Sequence, residues 1–312
     1  MDPASSDNGK RSESKGSSNP KAGDLKTIIS LLRPLNALMA GVGVIVGGIV
    51  AVGGDITEAI ILSNVVLAYF AAFFATGAGN ALNDLVDAET DKVNHPERPI
   101  PSGKLTPGQV KRVVWVGYLA TLFLAGFVNI LVFLIAVLNI SLMIGYETSL
   151  KKKGFIGNLS ISYLTGSVFI FGGAATLSTD LSLMEMVTSE EFKVTLILAL
   201  LAFLVSVGRE IIKDVQDMEG DKDRFTLPMK IGKRYACYLA GAMILTAIGL
   251  SWLPYYPLDI LGKYYIGTVL IADALFLNTV ILAFTDPAKA QKLAKLAMFI
   301  ALIAFLIGGL TV

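Results

Sequence analysis

Asn80-Ala-Leu-Asn83-Asp84-Leu-Val-Asp87-Ala-Glu-Thr-Asp91 closes an apolar run that begins near Ile60. A run of that length and composition predicts a membrane-spanning helix. Carboxylates at the end of such a helix are expensive and call for a purpose. Asn83, Asp87 and Asp91 are spaced i, i+4, i+8, so a helix places them on one stripe, flanked by Asn80 and Asp84. An amide and several carboxylates on one face offer oxygen ligands to a hard divalent cation.

A second stretch answers the first. Glu210-Ile-Ile-Lys-Asp214-Val-Gln-Asp217-Met-Glu-Gly-Asp221 also follows a long apolar run. Asp214, Asp217 and Asp221 are spaced i, i+3, i+7, with Glu210 one turn earlier on the same side. The rest of the chain reads as the scaffold that brings the two stripes together.

The composition fits that reading. Of 312 residues, 54% are hydrophobic and 16% charged, and the mean hydropathy is +0.66. This excludes an ordinary soluble domain and predicts an all-α, polytopic membrane protein. The single Cys237 forms no intrachain disulfide, and the single His95 excludes a His-rich metal centre. A metal site here is built from oxygen, which favours Mg²⁺, Mn²⁺ or Ca²⁺.

Residues 1–24 are almost devoid of apolar side chains and predict a disordered tail without the apolar core of a signal peptide. The membrane domain is expected over residues 25–312. Nine apolar segments follow, at about 35–52, 59–82, 108–126, 128–146, 156–177, 194–212, 235–253, 263–284 and 291–311. With nine spans, 24 of the 26 Lys and Arg fall on the N-terminal side of the membrane, and only Lys193 and Lys263 fall on the other. That asymmetry predicts a cytoplasmic N-terminus in a multi-pass cell-membrane protein, with both acidic stretches at the cytoplasmic face. Each stretch continues through Asp-Lys, an Arg, a Pro and then Gly-Lys, which suggests a weak internal repeat relating spans two and six.

Basic residues stand beside the acids: Arg98, Lys104, Lys151, Lys152, Lys153, Arg224 and Lys233 in the same turns, with Arg33 at similar membrane depth. Acid and base together at one surface read as a metal-bridged polyphosphate site. The apolar helices behind it suit a long hydrocarbon chain. Any single Asp here is better explained by snorkelling to the interface beside a Lys or Arg; two separate multi-Asp stripes are not. A cation transporter is the reading from another class, but its carboxylates belong near the midplane rather than at one face. A CDP-alcohol phosphotransferase calls for an Asp-Gly…Ala-Arg run, which precedes neither stretch.

Asn83-Asp84-x-x-Asp87-x-x-x-Asp91 followed by Arg98-Pro99-Ile100-Pro101-Ser102-Gly103 resembles the first signature of the UbiA superfamily of intramembrane prenyltransferases. Asp214-x-x-Asp217-x-x-x-Asp221 resembles the second, and Arg33-Pro34-Leu35-Asn36 before span one also fits. The resemblance covers about residues 25–312. It implies nine transmembrane helices around a central cavity, with the two motifs facing each other and binding Mg²⁺ and a prenyl diphosphate. By motif position, Asn83, Asp87, Asp91, Asp214, Asp217 and Asp221 inherit the metal-binding role. Asp87, Asp91, Asp217 and Asp221 inherit the catalytic one. Arg33, Asn36, Arg98, Lys104, Tyr146, Lys151 and Lys153 are the expected substrate-binding residues.

Arg209-Glu210-Ile211-Ile212-Lys213-Asp214, Glu219-Gly220-Asp221-Lys222 and Thr226-Leu227-Pro228 look most like one branch of that superfamily, the archaeal digeranylgeranylglyceryl phosphate synthases. The resemblance implies transfer of a geranylgeranyl or similar group to a lipid-soluble acceptor, geranylgeranylglyceryl phosphate, in ether-lipid synthesis. An aromatic prenyltransferase of quinone or chlorophyll type is the alternative within the superfamily. Lys151 to Lys153 are the expected seat of the acceptor's own phosphate. Tyr69, Phe73, Tyr146, Tyr163 and Phe169 are aromatic faces for stabilising an allylic cation. Membrane lipids are the surroundings; the reading calls for no nucleic acid and identifies no protein partner.

Overall fold

The computed structural model describes residues 25–218 and 226–312. The tail expected over residues 1–24 and the roles assigned to Asp221 and Arg224 lie outside the described residues. Within them all regular structure is helical. The elements are α1 (Leu25–Leu32), α2 (Pro34–Ala51), α3 (Ala59–Val86), α4 (Ala88–Asn94), α5 (Pro107–Gly126), α6 (Ile130–Thr148), α7 (Phe155–Ala174), α8 (Leu183–Thr188), α9 (Glu190–Asp217), α10 (Leu227–Ile231), α11 (Lys233–Leu250), α12 (Tyr264–Thr285) and α13 (Pro287–Gly309).

Among the described residues, nine of these helices have 18 residues or more and coincide with the nine apolar segments. Seven are both long and apolar enough to cross a membrane; α5 and α11 fall below that mark. The physical reason is shared. Each carries a Lys-Arg pair near its start, Lys111-Arg112 and Lys233-Arg234, where long basic side chains reach back toward the interface. The helices α3 and α9 are both 28 residues long, and each packs along one of these two helices, α3 on α5 and α9 on α11.

The long helices form a ring in chain order, closed by α13 against α2. A contact between α2 and α7 divides the ring into two lobes. One core holds Val44, Val65, Ala68, Val132, Ile135 and Phe171. The other holds Val46, Phe169, Leu198, Val207, Ile244, Tyr265 and Phe305.

Small residues permit the α2–α7 contact. A Cβ on Gly47 would lie 2.3 Å from the Phe169 carbonyl oxygen, and one on Gly172 would lie 2.0 Å from that of Val44. Lipid tails are as apolar as leucine, so membrane helices associate through close packing of this kind. Gly172→Ala is therefore expected to push α2 and α7 apart and to cost about 1–3 kcal/mol. Thermal unfolding in detergent should show a lowered midpoint, and an unchanged midpoint would refute the role given to this glycine.

Candidate active site

The two acidic stretches keep their helical spacing, by different means. The helix α3 ends at Val86 and α4 starts at Ala88, yet the backbone bonds continue: Asp87 N–H to the Asn83 carbonyl at 2.9 Å and Asp91 N–H to the Asp87 carbonyl at 2.8 Å. Asn83, Asp87 and Asp91 thus remain on one stripe. The helix α9 runs unbroken to Asp217. Asp87 and Asp217 both sit where a long helix presents its negative end, which deepens the potential that draws in a cation.

Basic residues interleave with the first stripe. The Arg33 guanidinium donates to Asp84 at 2.5 Å and to Asn83 at 3.4 Å. Arg98 donates to Asp91 at 2.6 Å and lies 3.5 Å from Asp84. Lys151 donates to Asp87 at 2.5 Å and to Glu147 at 3.2 Å. Asn83 spreads its amide hydrogens between Asp87 at 3.1 Å and Glu147 at 3.0 Å. Arg33 itself has φ +47°, a left-handed conformation costly for a residue other than glycine. It forms the corner between α1 and α2, and Asn80 holds that corner by donating to the Leu32 carbonyl at 3.0 Å.

On the second side, Asp214 accepts from Asn158 of α7 at 2.8 Å. The buried Glu210 is paired with its neighbour Arg209 and lies 3.6 Å from Lys213. Both sides open on one cavity of about 1130 Å³. Its polar end holds Asn83, Asp87, Asp91, Arg98, Glu147, Lys151 and Asp217, and its apolar part holds Leu164, Val168, Phe169, Leu201, Val205, Val269, Phe276, Leu302 and Phe305. The result is a charged mouth on a greasy chamber.

Of the residues expected from the sequence, Arg33, Asn36, Asn83, Asp87, Asp91, Arg98, Tyr146, Lys151 and Asp217 line this cavity. Asp214, Lys104 and Lys153 do not. Asp214 is taken up by α7. Lys104 stands exposed just ahead of the Thr106 capping box that starts α5. The basic triplet is split by a tight turn over Leu150–Lys152, which leaves Lys151 half-buried in the network and Lys152 and Lys153 exposed. Of the five aromatic candidates, Tyr146 and Phe169 line the cavity, while Tyr69 packs on Gly41 and Phe73 on Phe74.

Several cavity-lining residues are not among the site residues expected from the sequence. Glu147 stands one turn before Lys151, a spacing that makes a helical ion pair. Asp273 is a lone buried carboxylate inside the apolar helix α12; it accepts from Ser251 at 2.9 Å and lines the cavity's inner part. An ionisable residue inside an apolar span is a signal in itself. Arg209, Lys213 and Lys295 also line the cavity.

Among the described residues, no three His, Cys, Asp or Glu side chains converge as a ready metal cage. Arg98 and Lys151 stand between the carboxylates instead. The donor set nonetheless fits a hard cation, because the acidic and amide groups at the mouth offer oxygen only and face a common space.

Residues 40–303 match the UbiA prenyltransferase family. The chain belongs to that family. Among its relatives is a digeranylgeranylglyceryl phosphate synthase of Methanosarcina mazei, 38% identical over 296 residues, which span 91% of this chain and 98% of the relative. A solved structure described as giving insight into digeranylgeranylglyceryl phosphate synthase in membranes is 35% identical, with a TM-score of 0.74 over 92% of this chain and 98% of its own. A UbiA homologue from Archaeoglobus fulgidus bound to DMAPP and Mg²⁺ shares the fold, at 15% identity and a TM-score of 0.63 over 89% of this chain and 99% of its own. Membership makes this chain a multi-pass membrane prenyltransferase, and the acidic mouth on an apolar chamber is the shape such chemistry needs.

The two central acids are expected to behave differently on mutation. Asp84 is 3% exposed and holds two guanidinium groups, so Asp84→Ala leaves Arg33 without its carboxylate and Arg98 with Asp91 alone, and should cost about 3 kcal/mol of stability. Asp87→Ala removes a more exposed group and should leave the melting temperature nearly unchanged. Equal melting temperatures for the two variants would contradict the structural role of Asp84.

Proposed function

We propose that this chain moves a geranylgeranyl group from its diphosphate to the free hydroxyl of geranylgeranylglyceryl phosphate, making the second ether of an archaeal-type lipid. The observation that carries this reading is the cavity: a mouth of alternating acids and bases opening on a chamber lined by apolar helices. The relatives named digeranylgeranylglyceryl phosphate synthase, matched along almost their whole length, support the choice of acceptor.

Asn83, Asp87, Asp91, Asp217 and Asp221 are the proposed metal-holding groups, with Asp214 behind them fastening α9 to α7. Bound Mg²⁺ supplies positive charge to the diphosphate as the allylic C–O bond breaks; the DMAPP and Mg²⁺ held by the Archaeoglobus fulgidus homologue are the precedent. Arg33, Arg98 and Lys151 turn from the carboxylates toward the phosphate oxygens, with Asn36 and Tyr146 beside them. This is stabilisation of the leaving group by prearranged charge. The diphosphate leaves with the bonding electrons. The acceptor hydroxyl then forms the new C–O bond, and its proton passes to an oxygen at the acidic mouth. The chamber keeps water from the allylic cation, and Tyr146 and Phe169 offer it aromatic faces worth about 0.5–2 kcal/mol each. The basic residues of the loops at the mouth favour its placement at the cytoplasmic face.

Asp87→Ala and Asp217→Ala are each expected to lower transfer at least about a hundredfold while the protein stays folded in detergent. Near-normal turnover by either variant would sink the two-stripe site. EDTA should stop turnover and added Mg²⁺ restore it, because the proposed ligands are all oxygen; full turnover in metal-free chelator is the contrary result. Product analysis with geranylgeranyl diphosphate and a panel of acceptors tests the acceptor. Prenylation of 4-hydroxybenzoate with none of geranylgeranylglyceryl phosphate would favour the aromatic branch instead.

A further inference from the structure

The acceptor just proposed carries a phosphate of its own, and the Lys151–Lys153 triplet does not provide for it. Lys151, paired with Asp87 and Glu147, is assigned above to the diphosphate, and Lys152 and Lys153 are exposed outside the cavity. At the first wall, Arg33, Arg98 and Lys151 face Asp84, Asp87, Asp91 and Glu147. The three cations of that wall are the ones proposed to turn to the diphosphate, so none is left over for a second anion.

The opposite wall differs. Arg209 and Lys213 lie one turn apart on α9, and Lys295 of α13 stands within electrostatic range of both. Their shared local carboxylate is Glu210. Asp217 lies a turn nearer the mouth, among the proposed metal ligands. Among the described residues, no carboxylate comes within 4.0 Å of Lys295, and the buried Nε of Arg209 meets no hydrogen-bond partner. A buried donor left unmatched calls for an acceptor.

Depth points the same way. Arg209 lies two helical turns, about 12 Å, from Asp217 along α9. Val205 and Leu201 follow one and two turns deeper in the same cavity. The cluster therefore sits between the acidic mouth and the apolar chamber. A lipid bearing a phosphomonoester a few bonds from a free hydroxyl, with a hydrocarbon tail beyond, matches that order of charge and grease.

We propose that Arg209, Lys213 and Lys295 form a second anion subsite that takes the phosphomonoester of the acceptor and makes the enzyme prefer a phosphorylated one. This rests on the acceptor reading above. The other source of phosphate is the prenyl diphosphate itself, and kinetics separates the two. Lys295→Gln removes an exposed charge from the cavity wall. It should raise the KM for geranylgeranylglyceryl phosphate about tenfold, the loss of roughly one charge-assisted bond. The KM for geranylgeranyl diphosphate and for unphosphorylated geranylgeranylglycerol should stay within about twofold of wild type. Lys295→Arg should restore the preference, and Arg209→Gln should repeat the loss if it melts normally. A parallel rise in the donor's KM, or an unchanged preference for the phosphorylated acceptor, would overturn the proposal.

Binding tests the subsite without turnover. Wild-type protein should bind a monoalkyl glycerol phosphate more tightly than the monoalkyl glycerol, and Lys295→Gln should erase the difference. If wild type prenylates only unphosphorylated acceptors yet shows that binding preference, the subsite stands and the acceptor reading falls. If wild type binds both lipids equally, the subsite falls.

Discussion

Asp84 is a carboxylate buried where a membrane helix ends, and a charge in that position is tolerable only with partners. It has two, Arg33 and Arg98. Through them it joins three pieces of chain distant in sequence: the corner between α1 and α2, the end of α3, and the loop that begins at Arg98. Arg98 reaches on to Asp91, and the alternation of charge continues through Asn83, Asp87, Lys151 and Glu147. The site is therefore built by charge neutralisation before any ligand arrives. The strained φ of Arg33 belongs to the same arrangement, because it aims the guanidinium at Asp84.

The packing below serves that network. Glycines let α2 and α7 touch backbone to backbone, and the two lobes meet along that line. Each lobe brings one acidic stripe. A cavity remains between them, lined from both sides. Its two ends obey opposite rules. Ions at the mouth are mutually compensated, while the chamber holds aliphatic and aromatic groups with Asp273 tied to Ser251. Such a space can take a molecule that is itself an anion at one end and a hydrocarbon at the other.

The two walls are not equivalent. The first pairs its cations with its own carboxylates, beside the proposed metal and diphosphate. The second keeps Arg209, Lys213 and Lys295 against Glu210. That difference in charge balance suits a reaction with one substrate held through metal and another held directly by basic side chains. It also accounts for a surface with more positive charge than one diphosphate requires.

What the sequence by itself determined is whatever depends on spacing along one helix. The apolar runs, the stripes Asn83–Asp87–Asp91 and Asp214–Asp217, and the resemblance carried by Arg98-Pro99-Ile100-Pro101-Ser102-Gly103 were legible because a helix has a fixed period. The all-helical membrane fold followed from the same periodicity. Tertiary structure decided which side chains from different helices share a space. Lys151, Lys152 and Lys153 are equal in the sequence, but a tight turn sends only Lys151 into the cavity. Arg209 and Lys295 are 86 positions apart, and only the packing of α9 against α13 places them on one wall. Asp214 has the right spacing for a ligand, and only the packing shows that it also accepts from Asn158 on a neighbouring helix. Helical period is a local property of the chain. The pairing of a charge depends on what the neighbouring helix brings, and that is set by close packing of the whole bundle.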